Sequence, residues 1–183
     1  HLAALVKRLR GARPHALLVD GGDSWQGSAT SLWTRGADMI GAQKLLGVDM
    51  MTAHWEFTYG AERVKQAEKD LGFEFLAQNV KTADFEDPVF KPYSLRSVNG
   101  VALAVIGQAF PYTPIANPRH LVAQWTFGIQ ETRLQSLVDQ VRAKGARDPF
   151  CGSLRLQCHR CWMGAEAIQP YCYGVAASLL LVG

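Results

Sequence analysis

Two short stretches hold the residues best suited to chemistry. The first reads Gly21-Gly22-Asp23-Ser24-Trp25-Gln26-Gly27-Ser28, and the second Ala53-His54-Trp55-Glu56-Phe57-Thr58-Tyr59-Gly60. An aspartate in a glycine-rich turn can reach two metal ions, because glycine lets the backbone approach and a carboxylate has two oxygens. A histidine at the end of a neighbouring strand can take one further position. Oxygen and imidazole donors together suit manganese, iron or zinc better than calcium. Asp23 and His54 are therefore the candidate metal ligands. The structural alternative stays open beside this one: Asp in such a turn is commonly a cap or turn former, and a lone His is commonly satisfied or on the surface. The glycine turn is not a P-loop, since no Gly-Lys-Ser/Thr follows, and it is not a dinucleotide fingerprint.

Neighbouring residues have supporting roles to fill. Trp25, Gln26 and Trp55 are candidates to line the substrate channel, with packing as the competing role for Trp25. Gly22 supports the turn, and Glu56 reads as a structural hydrogen-bond partner within it. Asn79 either orients the site or forms a turn. Asp20 stands one step early for a ligand and reads as a cap for the loop.

The elements that must position these residues follow from pattern. Residues 2–10 carry Leu2, Leu5, Val6 and Leu9 on one helical face, and Gly11 and Pro14 stop the helix. Residues 16–19 are a continuous apolar run, suited to a strand buried on both faces, and the Asp23 turn follows it. Residues 33–46 read as one helix with Met39, Ile40, Leu45 and Leu46 buried, closed by Gly47. Residues 48–52 form a second strand leading into the His54 turn. A helix over 61–71 and a strand over 73–77 complete an alternation that implies parallel pairing with crossover helices. In an α/β sheet, ligands bind outside the carboxyl ends of the strands, which is where both turns lie. Beyond this, Asn99-Gly100 between two strand-like runs predicts a tight hairpin. Residues 108–128, with prolines and aromatics, read as an ordered surface excursion, and 129–144 as a helix with Leu134, Leu137, Val138 and Val141 on one face.

Composition narrows the function classes. The chain has 183 residues, 48% of them apolar and 19% charged, with a net charge of +3. That suits a soluble domain with a real core. The charge is too small and too scattered to argue for nucleic acid. No apolar run is long enough for a transmembrane helix, and no signal peptide is visible behind His1, which reads as an internal starting point.

Several stretches resemble one family. They are Gly-Gly-Asp-Ser-Trp-Gln-Gly-Ser (21–28), Thr-Ala-His-Trp-Glu-Phe-Thr-Tyr-Gly (52–60), Ala-Gln-Asn-Val-Lys (77–81) and Gly-Gln-Ala-Phe-Pro-Tyr-Thr-Pro-Ile-Ala-Asn-Pro (107–118). Residues 1–146 resemble part of the metallophosphoesterase domain of the 5′-nucleotidase family, and within it the SoxB-like thiosulfohydrolase branch. The resemblance implies an α/β fold, a partial calcineurin-like sandwich of mixed β-sheets flanked by helices. It implies two manganese ions, with Asp23 at the position that bridges them. The nucleotidase motif Gly-Asn-His-Glu-Phe-Asp places its metal-binding Asn at His54 and its catalytic His at Trp55. An indole cannot exchange a proton at neutral pH as imidazole can. That substitution argues against ordinary phosphate-ester hydrolysis and matches the SoxB-like branch. No other catalytic residue is assigned. The implied reaction is release of sulfate from a cysteine S-sulfonate on the SoxYZ carrier, in the periplasm, by a monomer. A 5′-nucleotidase or cyclic phosphodiesterase is the runner-up, and a catalytically inactive incomplete domain is the alternative of another class.

The same resemblance implies ligands that 1–146 do not contain: Asp-x-His upstream, then Ser-His and Gly-His-x-His downstream. After Ala146 it stops. Pro149 and Gly152 argue against a central strand there, and 147–183 show neither a clear period nor a βα unit. All four cysteines fall in this tail. One explanation is a divergent tail in which Cys151, Cys158, His159, Cys161 and Cys172 include a zinc site. The other, which we favour, is loss of the reading frame near 147.

Overall fold

The computed structural model describes residues 1–146 and the backbones of two further strands, Asp148–Gly152 and Leu179–Val182. Along the chain run α1 (Leu2–Ala12), β1 (Leu17–Asp20), α2 (Ala29–Thr34), α3 (Ala37–Leu46), β2 (Met50–Met51), α4 (Ala61–Asp70) and β3 (Glu74–Phe75). Next come β4 (Lys81–Thr82), β5 (Tyr93–Val98), β6 (Val101–Gly107), α5 (Thr113–Ala116), β7 (Trp125–Thr126) and α6 (Glu131–Ala143). The two strands of the tail are β8 (Asp148–Gly152) and β9 (Leu179–Val182).

The predicted alternation is present. β1, β2 and β3 pair in parallel, with Val19 opposite Met50 and Met50 opposite Glu74, and β9 flanks β1 antiparallel. The second sheet has the order β5-β6-β8. Its hairpin turns at Asn99 (φ 51) and Gly100 (φ 79), the two positive-φ positions that a type I′ turn demands. The sheets face one another: Val19 and Met50 of the first pack with Val98, Leu103 and Val105 of the second. Helices cover both outer faces. Val6 of α1 packs with Leu18 and Val48, while Leu134, Val138 and Val141 of α6 pack on Ala104 and Ile106. The result is a mixed-sheet sandwich between helices, as expected.

Four local expectations need correction. The single helix over 33–46 is two helices, broken where Arg35 (φ 51) and Gly36 (φ 80) turn left-handed. Ser28 starts the first of them through a capping box with Ser31. Leu45 is 91% exposed, not buried. The buried positions of α3 are Ile40 and Gln43, and two residues past Gln43 the helix has turned most of the way to its opposite side. In α1, Val6 is buried but Leu2 and Leu5 are exposed. Finally, residues 148–152 do form a strand. β8 pairs parallel to β6, with Pro149 opposite Ala104, at the edge of its sheet where a proline is tolerated. Likewise β9 lies in the stretch without clear period. The suggested zinc residues Cys158, His159, Cys161 and Cys172, the side chain of Cys151, and the suggested loss of frame lie outside the described residues. Among the described residues, no helix is long and apolar enough to cross a membrane.

Candidate metal centre

β1 and β2 are adjacent parallel strands, so the turns that leave them emerge side by side. The Thr52 amide donates to the Asp20 carbonyl (3.0 Å) and locks the two strand ends together. The contact between the turns is then made by glycine. Gly22 sits at φ 92, and a Cβ there would stand 2.7 Å from the His54 nitrogen. No side chain fits at Gly22 while the two turns lie this close. Asp23 follows at φ 62. Short polar side chains tolerate that region better than most, at a cost of order 1–2 kcal/mol, so the turn must be held by something else.

Glu56 holds it. Its side chain is fully buried. Oε1 accepts from the amide of Ser24 (2.7 Å) and more weakly from that of Trp25 (3.4 Å), while Oε2 accepts from the amide of His54 (2.6 Å). One carboxylate thus ties the first turn to the second. Complete burial pushes the Glu56 carboxyl upward, and the amides of His54, Ser24 and Asp23 draw it back. These are the contacts of a hydrogen-bond partner within the turns.

A second buried carboxylate braces the first turn from below. Asp20 accepts from the Gly22 amide (2.9 Å), the Ser24 hydroxyl (2.8 Å) and the Gln43 side-chain amide (2.5 Å). Burial raises its carboxyl to about 6, against the lowering effect of the Gln43, Gly22 and Ser24 donors. It caps the loop, as its position suggests. Gln43 also accepts from the indole Nε1 of Trp25 (2.9 Å). Sequence reasoning missed Gln43, although a glutamine three residues after buried Ile40 on one helix face was a visible signal.

These supports bring the two predicted ligands together. His54 is 4% exposed and the Asp23 side chain 29%, and His54 Nδ1 lies 4.0 Å from Asp23 Oδ2. That is too long for a direct hydrogen bond. It is within the span of two bonds to one cation, each about 2.0–2.2 Å. The donor set therefore fits one side of a metal centre. Among the described residues, no group of three or more His, Cys, Asp or Glu forms.

The other predicted residues divide. Trp55 is half-buried and stands edge-on to His54 at 5.9 Å, so it borders the centre. Gln26 is half-buried on the same turn as Asp23. Trp25 is corrected: it is fully buried, packs on Phe75 at 6.1 Å, and spends its N–H on Gln43. A side chain with no exposed surface does not line a channel. Asn79 is fully buried and clamps other loops, accepting from the Ala109 amide (2.8 Å) and donating to the carbonyls of Ala109 (2.9 Å) and Gly128 (3.0 Å). Its support for the site is indirect. Phe110, which sequence reasoning did not single out, stacks against His54 with centroids 4.3 Å apart.

No family model matches the chain. The chain is 29% identical to a 5′-nucleotidase of Bos taurus over 148 residues, which is 77% of the chain and 25% of that protein. It is 30% identical to the protein UshA of Yersinia enterocolitica over 138 residues, 74% of the chain and 25% of that protein. It thus spans about a quarter of the length of the curated relatives it matches. Among solved structures, the sulfate thiohydrolase SoxB of Thermus thermophilus superposes with a TM-score of 0.81 at 38% identity, covering 84% of the chain and 29% of SoxB. The calcineurin-like phosphoesterase YfkN of Bacillus subtilis shares the fold, with a TM-score of 0.71 at 21% identity over 83% of the chain and 52% of YfkN. The likeness runs through both sequence and fold: the chain belongs to the SoxB and 5′-nucleotidase family and has the fold of calcineurin-like phosphoesterases.

Proposed function

We propose that this chain carries the Asp23 and His54 side of a dimanganese hydrolase that releases sulfate from a cysteine S-sulfonate on the SoxYZ carrier. Residue 55 is the single observation that carries the choice of substrate. At the border of the metal centre, next to His54, stands an indole where the nucleotidase motif has imidazole.

When bound, two metal ions supply an activated water and a clamp for tetrahedral oxygens. Asp23 would hold them from the first turn, and His54 would hold one of them from the second. Glu56 and Gly22 keep the two turns at their present separation. In the overall reaction, water oxygen joins the sulfonate sulfur and the bond from that sulfur to the carrier sulfur breaks. The electron pair leaves with the carrier sulfur, and sulfate and protons are released. An indole has one N–H donor and no titration near neutral pH, so Trp55 gives the leaving group no proton. A thiol has a pKa of about 8.5, and its sulfur departs as an anion far more readily than an alkoxide. Trp55 suits that leaving group and not a nucleoside alkoxide. The 38% identity to a sulfate thiohydrolase supports the same reading.

The 5′-nucleotidase reading is second, favoured by the curated relatives. Manganese and the periplasm are proposed from the resemblance; the oxygen and imidazole donors by themselves suit manganese, iron or zinc. The test compares sulfate release from a SoxYZ cysteine S-sulfonate with phosphate release from AMP, using the full-length protein with manganese. The proposal expects sulfate and little phosphate. Phosphate without sulfate would establish the nucleotidase instead, and neither product would support an inactive domain.

A further inference from the structure

We infer that Phe110 is a positioning residue for His54, and that Asn79 acts on the metal centre through it. The inference rests on the reading of His54 as a metal ligand.

Glu56 fixes the backbone of His54 but not its ring. The outer torsion of a histidine is broad and nearly two-fold, so backbone placement alone leaves the imidazole plane undetermined. Two aromatic side chains pack on that ring. Phe110 lies against it with centroids 4.3 Å apart and planes 35° apart, and Trp55 meets it edge-on at 62°. The Phe110 and Trp55 rings are themselves 6.2 Å apart, so the three form one cluster.

Phe110 is in turn held through its backbone. Its amide donates to the Ala53 carbonyl (3.0 Å), directly beside His54. Its carbonyl accepts from the Thr113 hydroxyl (2.7 Å). The residue before it, Ala109, is gripped at both amide and carbonyl by Asn79, whose second donor contact reaches Gly128. Asn79 thus spends both its oxygen and its nitrogen on loop backbone. A fully buried asparagine so engaged does not face a ligand. It fixes the loop that brings an aromatic ring to the imidazole of a distant turn. Groups that orient a metal-binding histidine typically change metal affinity or activity about 10- to 100-fold when removed.

The test is Mn²⁺ affinity of the full-length protein, read from the free-ion electron paramagnetic resonance signal, with thermal midpoints measured in parallel. Phe110→Leu keeps an apolar side chain of similar bulk and loses the flat ring. It is expected to weaken Mn²⁺ binding about tenfold, beyond any change in midpoint. Phe110→Trp is expected to retain most of the affinity. Asn79→Ala is expected to weaken binding too, and the double variant to bind no worse than the weaker single variant, because both changes break one connection. His54→Ala serves as the reference. Weakened binding in His54→Ala with wild-type affinity in Phe110→Leu would overturn the positioning role and leave the metal reading intact. Equal losses in Phe110→Leu and Phe110→Trp would also overturn it. Wild-type affinity in His54→Ala would instead remove the metal reading on which the inference stands.

Discussion

The two turns of the proposed metal centre are built by opposite means. The Asp23 turn gets its path from backbone freedom: Gly22, Asp23 and Gly27 all have positive φ. Little of it would keep that shape unaided. The His54 turn gets its path from burial. It passes directly into a 3-10 turn over Glu56–Tyr59, and Glu56, Phe57 and Tyr59 are all buried. Tyr59 then reaches back, its hydroxyl 2.9 Å from the carbonyl of Trp25 in the first turn. The rigid turn therefore shapes the permissive one, and the carboxylate of Glu56 is the main link. A metal ligand on a loop can be held precisely when its neighbour, and not its own sequence, supplies the rigidity.

Removing that link should do the most damage. Glu56→Ala leaves the amides of Ser24 and His54 buried without their acceptor, at about 1–3 kcal/mol each. We expect a loss of about 3–5 kcal/mol in denaturant unfolding, and Glu56→Gln, which keeps one acceptor oxygen, to lose less. Equal stability of wild type and Glu56→Ala would mean the turns hold themselves.

The pH dependence sharpens the same contrast from below the first turn. The Asp20 carboxyl is raised to about 6 when folded, above its ordinary 3.8. The folded state therefore favours the protonated acid. This contribution is fully present below pH 3.8, is lost as pH rises through about 6, and is absent above that. The change amounts to about 3 kcal/mol, from about 1.36 kcal/mol for each pH unit between the two values. Asp20→Asn should flatten the stability profile between pH 4 and 6. A variant that keeps the wild-type slope there would assign it to another group.

Two smaller effects separate close approach from hydrogen bonding. Gly22→Ala places a methyl against the His54 backbone at positive φ and should cost about 2–3 kcal/mol. A thermal melt that does not move would show that the turns can part. Trp25→Phe leaves the Gln43 oxygen without its indole donor and should cost about 1–2 kcal/mol. It should leave the Mn²⁺ affinity unchanged, since Trp25 is packing; a large loss of metal would restore it to the site.

Much of this arrangement was legible from residue types. Short apolar runs marked β1, just ahead of Gly21, and β2 and β3, just after Gly47 and Gly72, and Asn99-Gly100 marked the hairpin, because those signals depend only on near neighbours. Gly22, Asp23, His54 and Glu56 were found for the same reason: special backbone and polar chemistry were concentrated in a few residues. What stayed hidden depends on distant contacts. Arg35 breaks a helix in a conformation that arginine rarely takes. Trp25 looks the same in a sequence whether it lines a channel or fills a core. Phe110 reaches His54 only once the sandwich has folded, and no period links the two. β8 was obscured because a proline speaks against a central strand, whereas the position here is an edge.

The central claim is that the two turns present Asp23 and His54 to one metal centre. The most direct test is a crystal structure of the full-length protein grown with Mn²⁺, with anomalous scattering data. We predict an anomalous peak within about 2.3 Å of both an Asp23 carboxylate oxygen and a His54 ring nitrogen. Manganese bound elsewhere, with neither residue in contact, would contradict the account.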